Sequence, residues 1–561
     1  MTSPYTVPAI VVVIVATVAI GTYGLRLSRT TSDFLVASRT VSPGWNAAAI
    51  GGEYLSAASF LGVAGLILKH GVDVMWYPVG FAAGYLALLL FVSAPLRRSG
   101  AFTLPDFCEV RLHSTPLRKL ATAFVVVIGW FYLVPQLHGA GLTVTTVTGA
   151  PYFLGALVVG VVVTANVAFG GMRSITFVQA FQYWLKLTAL AVPVLFLALQ
   201  WQADGRPEVT PPDGTVFAAP TEVTLEDGAT LTVTQPTTVE VRGSGARLLT
   251  PGEHEFGAGT TLFFPAGSAV PDVAAVGAAD GLAWLLPGDT TTDRGLFATY
   301  SLILATFLGT MGLPHVLVRF YTNPDGAGAR RTTLVVLGLV GVFYLFPTLY
   351  GVLGRIYTPQ LLLTGRTDAV VLLLPSAALG GGLLGDLLAA LVAAGAFAAF
   401  LSTSSGLMTS VAGVLSTDVL GRGSVRDFRL STVVAGVVPV VLALNLAELD
   451  VSQVVGLAFA VAASSFCPLL MLGIWWRGLT DIGAAAGILA GGGAALAAVL
   501  VTVLRVPLPG WWATLAAQPA AWTVPLAFAV MVTVSMATRR RVPASVGLIM
   551  LRLHAPDALR L

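Results

Sequence analysis

Charge is scarce in this chain. Asp, Glu, Lys and Arg make up 10% of its 561 residues, against roughly 25% in soluble domains, which excludes an ordinary water-soluble globule. Cysteine is scarcer still. Cys108 lies in a basic loop and Cys467 in an apolar run, so neither a disulfide framework nor a thiolate metal centre is suggested. No cluster of His, Asp and Glu and no nucleophile beside a base marks a catalytic centre, so no enzyme activity is expected. The first apolar stretch, Val7 to Tyr23, lacks the positive leader and cleavage site of a signal peptide and reads as a retained helix. The net charge of +3 singles out no polyanion, and no nucleic-acid partner is expected.

Apolar length is what the chain has instead. Hydrophobic residues are 56% of it, and they form thirteen runs that read as bilayer-spanning helices: 7–25, 44–67, 75–95, 119–139, 151–169, 176–200, 297–318, 332–354, 382–414, 430–447, 452–475, 480–504 and 520–538. The run 382–414 is too long for one straight span and is expected to begin with a short helix at the outer surface. With the N-terminus outside, the inner segments hold 21 of the 30 lysines and arginines, among them Arg97, Arg98, Arg118, Arg319 and Arg539 to Arg541, while Lys186 lies within a span. The positive-inside rule then selects a multi-pass plasma-membrane protein with its C-terminus in the cytoplasm. The divisions are 1–200 (six spans), 201–295 (an outer insertion), 296–541 (seven spans) and 542–561 (a cytoplasmic tail).

The insertion is polar and rich in Thr, Pro and Gly. Its segment TEVTLEDGATLTVTQPTTVEV alternates apolar and polar residues around Asp227-Gly228, a hairpin signal, so a small β-rich domain is expected. It reads as a passive insertion or as a docking surface for a small membrane or extracellular partner.

Chemistry concentrates in three stretches. In GGEYLSAASFLG, Gly51 to Gly62, Glu53 lies ten residues past Pro43, roughly 15 Å along a helix and close to the bilayer midplane. An ionisable residue there is a candidate functional site. With Gly51-Gly52, Ser56 and Ser59 beside it, the helix reads as built to break and expose carbonyls. In AFAAFLSTSSGLMTSVAG, Ala396 to Gly413, Ala399 shares a helix face with Ser402 and Thr403. Two hydroxyls and a carbonyl there, with the carbonyls of Gly52 and Leu55, make five neutral oxygens suited to Na⁺ rather than to a divalent ion. A Ser/Thr-rich span by itself is more often interhelical glue. In FLGTMGLPHVLVRF, Phe307 to Phe320, Gly309, Gly312 and Pro314 weaken a second helix. Thr306 and Thr310 sit one turn apart and could face a polar solute. His315 and Arg319 lie toward the inner end, where Arg319 reads equally as an interfacial anchor or a gate. Two interrupted helices five spans apart suit a transporter built from inverted repeats. The candidate solute-binding residues are Glu53, Tyr54, Ser56, Ser59, Gln136, Thr306 and Thr310.

At these residues the chain resembles the sodium:solute symporter family. GGMRS at Gly170 to Ser174 is similar to the end of that family's signature, and GGEYLSAASFLG, RSGAFTLPDF and GTMGLPHVLVRFYT resemble its cation/acetate (monocarboxylate) branch. The resemblance covers about Ser32 to Leu420 apart from the insertion; the last four spans match in pattern. It implies an all-α polytopic protein of about 13 transmembrane helices with a LeuT-type 5+5 inverted repeat, spans two to six against seven to eleven. It also implies Na⁺ as coupling ion, held by the carbonyls of Gly52, Leu55 and Ala399 and the hydroxyls of Ser402 and Thr403. The implied function is Na⁺-coupled symport of a small solute, a short monocarboxylate such as acetate, by alternating access. Symport of an amino acid or sugar, proton-coupled carboxylate uptake and a non-transporting membrane sensor stay open. The carboxylate would sit between the broken second and seventh spans, where helix N-termini offer N–H groups. An ionised Glu53 would repel it, so Glu53 is expected to be protonated or turned away.

Overall fold

The computed structural model describes residues 3–25, 37–210, 215–225, 228–273, 276, 281–286, 293–380, 382–421, 424–445 and 451–557. Its first helix, α1 (Thr6–Leu25), is apolar all round and leaves Val7, Val11, Val12 and Val15 exposed, as suits a lipid-facing position. α2 (Pro43–Tyr54) and α3 (Val63–His70) are halves of one interrupted span, separated by the non-helical Leu55 and Ser56 and by a π-helical turn over Ala58–Gly62. Pro43 opens α2 at a position where its missing N–H costs nothing. α4 (Trp76–Ala87) continues through Ser93–Arg98. α5 (Thr115–Thr148) is capped by Ser114 and stopped by Gly149 at φ 69°. α6 (Tyr152–Ala203) holds two spans that meet at Gly171, whose φ of 61° no helix accommodates.

The insertion forms β1 (Thr221–Leu225), β2 (Ala229–Val233), β3 (Thr237–Val241), β4 (Gly245–Leu249), β5 (Gly252–Phe256), β6 (Thr260–Phe264) and β7 (Asp272–Val273). They make two antiparallel sheets, in the orders β1-β6-β3-β4 and β5-β2-β7. The expected hairpin is therefore corrected. Asp227 lies outside the described residues, but the strands on either side of it belong to different sheets, β1 paired with β6 and β2 with β5. Val223 and Leu225 of one sheet and Leu231 and Val233 of the other turn into one core, which two facing sheets bury better than a lone ladder.

After the insertion, α7 (Gly281–Leu285) precedes a second interrupted span. Its halves, α8 (Asp293–Gly312) and α9 (Pro314–Phe320), flank Leu313 at φ −70° and ψ 114°. α10 (Gly326–Tyr357), α11 (Gln360–Thr364) and α12 (Val370–Leu379) follow, then α13 (Leu383–Val414), α14 (Val425–Asn445) and α15 (Val451–Trp475). α16 (Asp481–Gly487), α17 (Gly493–Val503), α18 (Ala520–Ala537) and α19 (Val546–His554) complete the chain. α13 is one continuous helix; the short helix expected to open this span is the separate α12, set off by Gly380 at φ 71°. Eleven helical stretches among the described residues are long and apolar enough to cross a membrane. Two of them, Ala58–Arg98 and Tyr152–Ala203, each contain parts of two spans, so thirteen crossings result. α13 is buried along nearly its whole length and packs on α6 and α5, which places it at the centre of the bundle.

Two of the contacts that tie the insertion loop to the bundle differ in kind. Leu363 of α11 joins the core of the β-domain. Trp284 of α7 is buried, lies 5.2 Å beneath the Arg355 guanidinium, and donates to the carbonyls of Ile67 (2.9 Å) and Leu68 (3.2 Å) at the end of α3. The sheets and the tryptophan are thus separable in role. Replacing residues 208–276 by a short Gly/Ser linker should leave a folded, membrane-inserted protein, because long surface insertions are tolerated. Trp284→Ala should destabilise it by about 3–5 kcal/mol. Thermal unfolding in detergent compares the two, and a collapse of the linker variant beside an unchanged Trp284→Ala protein would reverse the assignment.

Candidate functional site

A helix broken inside a membrane strands backbone groups that water cannot reach, and each must find a partner in the protein. At the break in the second span the partners come from three other helices. Lys186 of α6 donates to the carbonyls of Gly52 (2.5 Å) and Leu55 (2.6 Å). Thr403 of α13 donates to the carbonyl of Glu53 at 2.6 Å. Gln136 of α5 accepts the N–H of Ala57 at 2.9 Å and donates back to the carbonyl of Tyr132. The glycine pair is not itself the break, since α2 stays helical through it to Tyr54. Gly52 allows close approach instead: a β-carbon there would stand 2.2 Å from the carbonyl oxygen of Gln179.

The third proton of Lys186 goes to Ser402 Oγ at 3.0 Å, and Ser402 in turn donates to the carbonyl of Ala399 at 3.1 Å. An ammonium has three donors, and all three are used. The side chain is fully buried and sits at the C-terminal end of α2, where the helix dipole and loose carbonyls favour a cation. Three of the five oxygens expected to hold Na⁺ therefore converge, those of Gly52, Leu55 and Ser402. The oxygen of Ala399 lies one bond further, and Thr403 is committed to Glu53. The group they surround is the Lys186 amino group. When protonated, it would repel a second cation ~4 Å away by about 4 kcal/mol at an effective dielectric of about 20. The residues as arranged do not fit Na⁺.

Glu53 faces the other broken span. Arg319 Nε of α9 lies 2.6 Å from Glu53 Oε2, with both side chains 1% exposed. Arg319 also donates to Thr176 Oγ1 at 2.9 Å and to Gln179 Oε1, and Gln179 donates on to the carbonyl of Ser402 at 2.8 Å. Gly406 of α13 makes room for the pair; a β-carbon there would fall 2.1 Å from the Glu53 carboxyl carbon. Arg319 is thus neither at an interface nor free, and Glu53 is turned toward a guanidinium.

The remaining solute candidates lie around the two breaks. Tyr54 and Thr310 share a hydrogen bond of 2.9 Å, and Ser59 and Tyr344 one of 2.7 Å. Thr306 and Thr310 also turn their hydroxyls back to carbonyls of their own helix, Leu302 and Thr306. Ser56 lies against Tyr132. Aromatic rings fill the space between: Tyr54 is edge-on to Phe81, Tyr85 and Phe459, and Tyr132 is edge-on to His315 at 5.2 Å. Among the described residues, the Tyr85 hydroxyl and both ring nitrogens of His315 are buried without a hydrogen-bond partner. The cluster is closed to solvent. On the insertion face Phe81 stacks on Tyr344 and touches Tyr77, which lines a vestibule of about 420 Å³. Lys186, Gln179, Thr176, Tyr85 and Tyr344 were not among the expected solute- or ion-site residues. Lys186 carried a readable signal, a lone charge in the apolar run 176–200.

Two interrupted spans inside such a bundle define a LeuT-type membrane transporter, and solved structures agree. The chain matches a Na⁺-coupled sialic acid symporter in its substrate-bound outward-open state with TM-score 0.64, at 13% identity over 95% of this chain and 97% of that one. It matches MhsT in complex with L-phenylalanine with TM-score 0.51, at 13% identity over 88% of this chain and 98% of that one. Within this class the chain belongs to the sodium:solute symporter family, whose model matches residues 34–205 and 254–491 and skips most of the strands. The match passes Leu420 and takes in α14 and α15. The chain is 30% identical over 501 residues to an uncharacterized symporter of Bacillus subtilis, covering 88% of this chain and 84% of that protein. It is 31% identical over 535 residues to a monocarboxylic acid transporter of Corynebacterium glutamicum, covering 90% and 86%. Family and fold are those of transporters, which act in a bilayer on small solutes.

The ion pair yields a direct test. Arg319→Met strands a buried carboxylate and should cost about 3–5 kcal/mol, whereas Glu53→Gln combined with Arg319→Met should recover much of it. Melting temperatures of the two single variants and the double variant close the cycle. Strictly additive losses would mean that the two side chains do not interact.

Proposed function

We propose that the protein is a symporter that moves a small organic anion, a short monocarboxylate such as acetate, by alternating access about its two broken spans. The observation that carries the reading is charge. With each group ionised, Glu53 cancels Arg319, and Lys186 leaves one positive charge beside the breaks. Repulsion by Glu53, the objection raised by the sequence, is answered by its guanidinium partner. Tyr85 and His315 leave hydrogen-bonding groups unused in the same cluster, and buried groups of that kind call for a partner. The relative from Corynebacterium glutamicum, a monocarboxylic acid transporter, supports the same class of solute. We place the solute among Tyr54, Ser56, Tyr85, Tyr132, Thr310 and His315, with Ser59, Gln136 and Thr306 holding the helices around it.

The family and the Na⁺-coupled structural neighbour support Na⁺ as the driving ion. Proton-driven uptake is the second reading, favoured by one observation: an ammonium already fills the expected ion cage. In the proposed orientation the N-terminus and the insertion are outside the plasma membrane and α19 is cytoplasmic, which follows the distribution of Lys and Arg.

Uptake into proteoliposomes of acetate, propionate, pyruvate, proline and glucose, under imposed Na⁺ or H⁺ gradients, tests both points. Carboxylates should be taken up and neutral sugar should not. Tyr85→Phe should raise KM for the carboxylate about 10- to 100-fold, the loss of a hydrogen bond to a charged group, with the fold intact. Uptake of proline or glucose without acetate, propionate or pyruvate would overturn the substrate class.

A further inference from the structure

We infer that the cation cage between α2 and α13 is permanently filled by the chain's own Lys186 ammonium, and that Na⁺ does not bind there in the native protein. The geometry is complete without an ion. Each ammonium proton meets one oxygen, at 2.5, 2.6 and 3.0 Å. The lysine is also part of what makes the break tenable. Were its head group elsewhere, the carbonyls of Gly52 and Leu55 would be left unpaired in a site that water does not reach.

The placement is built into α6. Gln179 and Lys186 stand seven residues apart on one face of that helix and grip the same residue of α13. Gln179 donates to the carbonyl of Ser402 and Lys186 to its hydroxyl. Tyr183, between them, lies against Gly51 and donates to the carbonyl of Leu339 in α10, which holds this stretch of α6 against α2 and α10. A Na⁺ ion would join α2 to α13 only while bound. A side chain anchored in α6 joins all three helices without an ion, so the clamp does not depend on salt. The inference deepens the proposed function by saying where a coupling ion is not held. It is read by stability, so its failure and the failure of the transport reading are distinguishable.

The test is the melting temperature of the purified full-length protein in NaCl against choline chloride at fixed ionic strength, for the parent, Ser402→Ala and Lys186→Ala. The parent should show no Na⁺-specific rise that Ser402→Ala removes. Lys186→Ala should melt lower in choline and regain a few degrees as Na⁺ is added, in a saturable manner, because its empty oxygens then accept the ion. If Lys186→Ala does not yield folded protein, the parent and Ser402→Ala decide alone. A Na⁺-specific rise in the parent that survives in Ser402→Ala places the ion elsewhere and supports the inference. A rise in the parent that Ser402→Ala abolishes overturns it, as does a folded Lys186→Ala protein that ignores Na⁺.

Discussion

The loose backbone at Leu55 and Ser56 is the constraint from which the rest of the bundle follows. In water, a two-residue interruption would cost little, because solvent would bond the freed carbonyls and amides. In hydrocarbon each unpaired group costs several kcal/mol, so the interruption can exist only where protein surrounds it with donors and acceptors. Those donors and acceptors are Lys186, Thr403 and Gln136, and they come from α6, α13 and α5. The three helices must therefore stand close around α2. Close packing in turn demands small residues at the contacts, which is why Gly52 faces Gln179 and Gly406 faces Glu53. The broken helix, the buried polar side chains and the glycines are one device.

That device carries three ionisable groups into the membrane, and their arrangement limits the cost. Glu53 and Arg319 pair with each other, and Arg319 takes Thr176 and Gln179 as further partners. Among the described residues, no carboxylate is in hydrogen-bonding contact with Lys186; it is met by carbonyl oxygens at a helix C-terminus and by one hydroxyl. Buried ion pairs of this kind are rarely better than apolar packing for stability alone. Their use here is positional. The Glu53–Arg319 pair joins α2 to α9, one half of each broken span. Gln179 extends the link to α13 through the carbonyl of Ser402. A carrier that rocks about a central site needs this property, and hydrophobic contact, which has no direction, would not supply it.

Much of this was legible in the residues, because the physics that breaks a helix leaves composition behind. Gly, Pro and hydroxyl residues in two apolar runs marked both interrupted spans, and the distribution of Arg and Lys suggested an odd number of crossings. What misled was the assumption that each residue type has one use. Glycine both weakens helices and admits neighbours, and Gly51-Gly52 does the second while the break falls at Leu55. Arg319 reads from its position near the end of a span equally as an interfacial anchor or a gate, and the structure excludes the anchor by burying it with the whole of α9 in the core. In the insertion, alternation told which faces of β1 and β2 are buried. It could not tell which strands pair, because β1 and β2 each pair with a strand distant in the sequence, β6 and β5.

Lys186 shows most clearly where reasoning from motifs stops. The stretches GGEYLS and AFLSTS specify a set of oxygens, and a set of oxygens specifies only that something positive or proton-donating will sit among them. Na⁺ and a primary ammonium are both monovalent cations bound by neutral oxygens, so the motif alone cannot choose between them. The choice is made by a residue more than 130 positions from Gly52 and more than 200 from Ser402. It lies in a run whose only charge is one lysine between leucines. The rule that singled out Glu53, that a charge inside a membrane has a purpose, applied with equal force to Lys186. Resemblance within a family carries over the acceptors of a site; the identity of its cation has to be read from the helix that faces them.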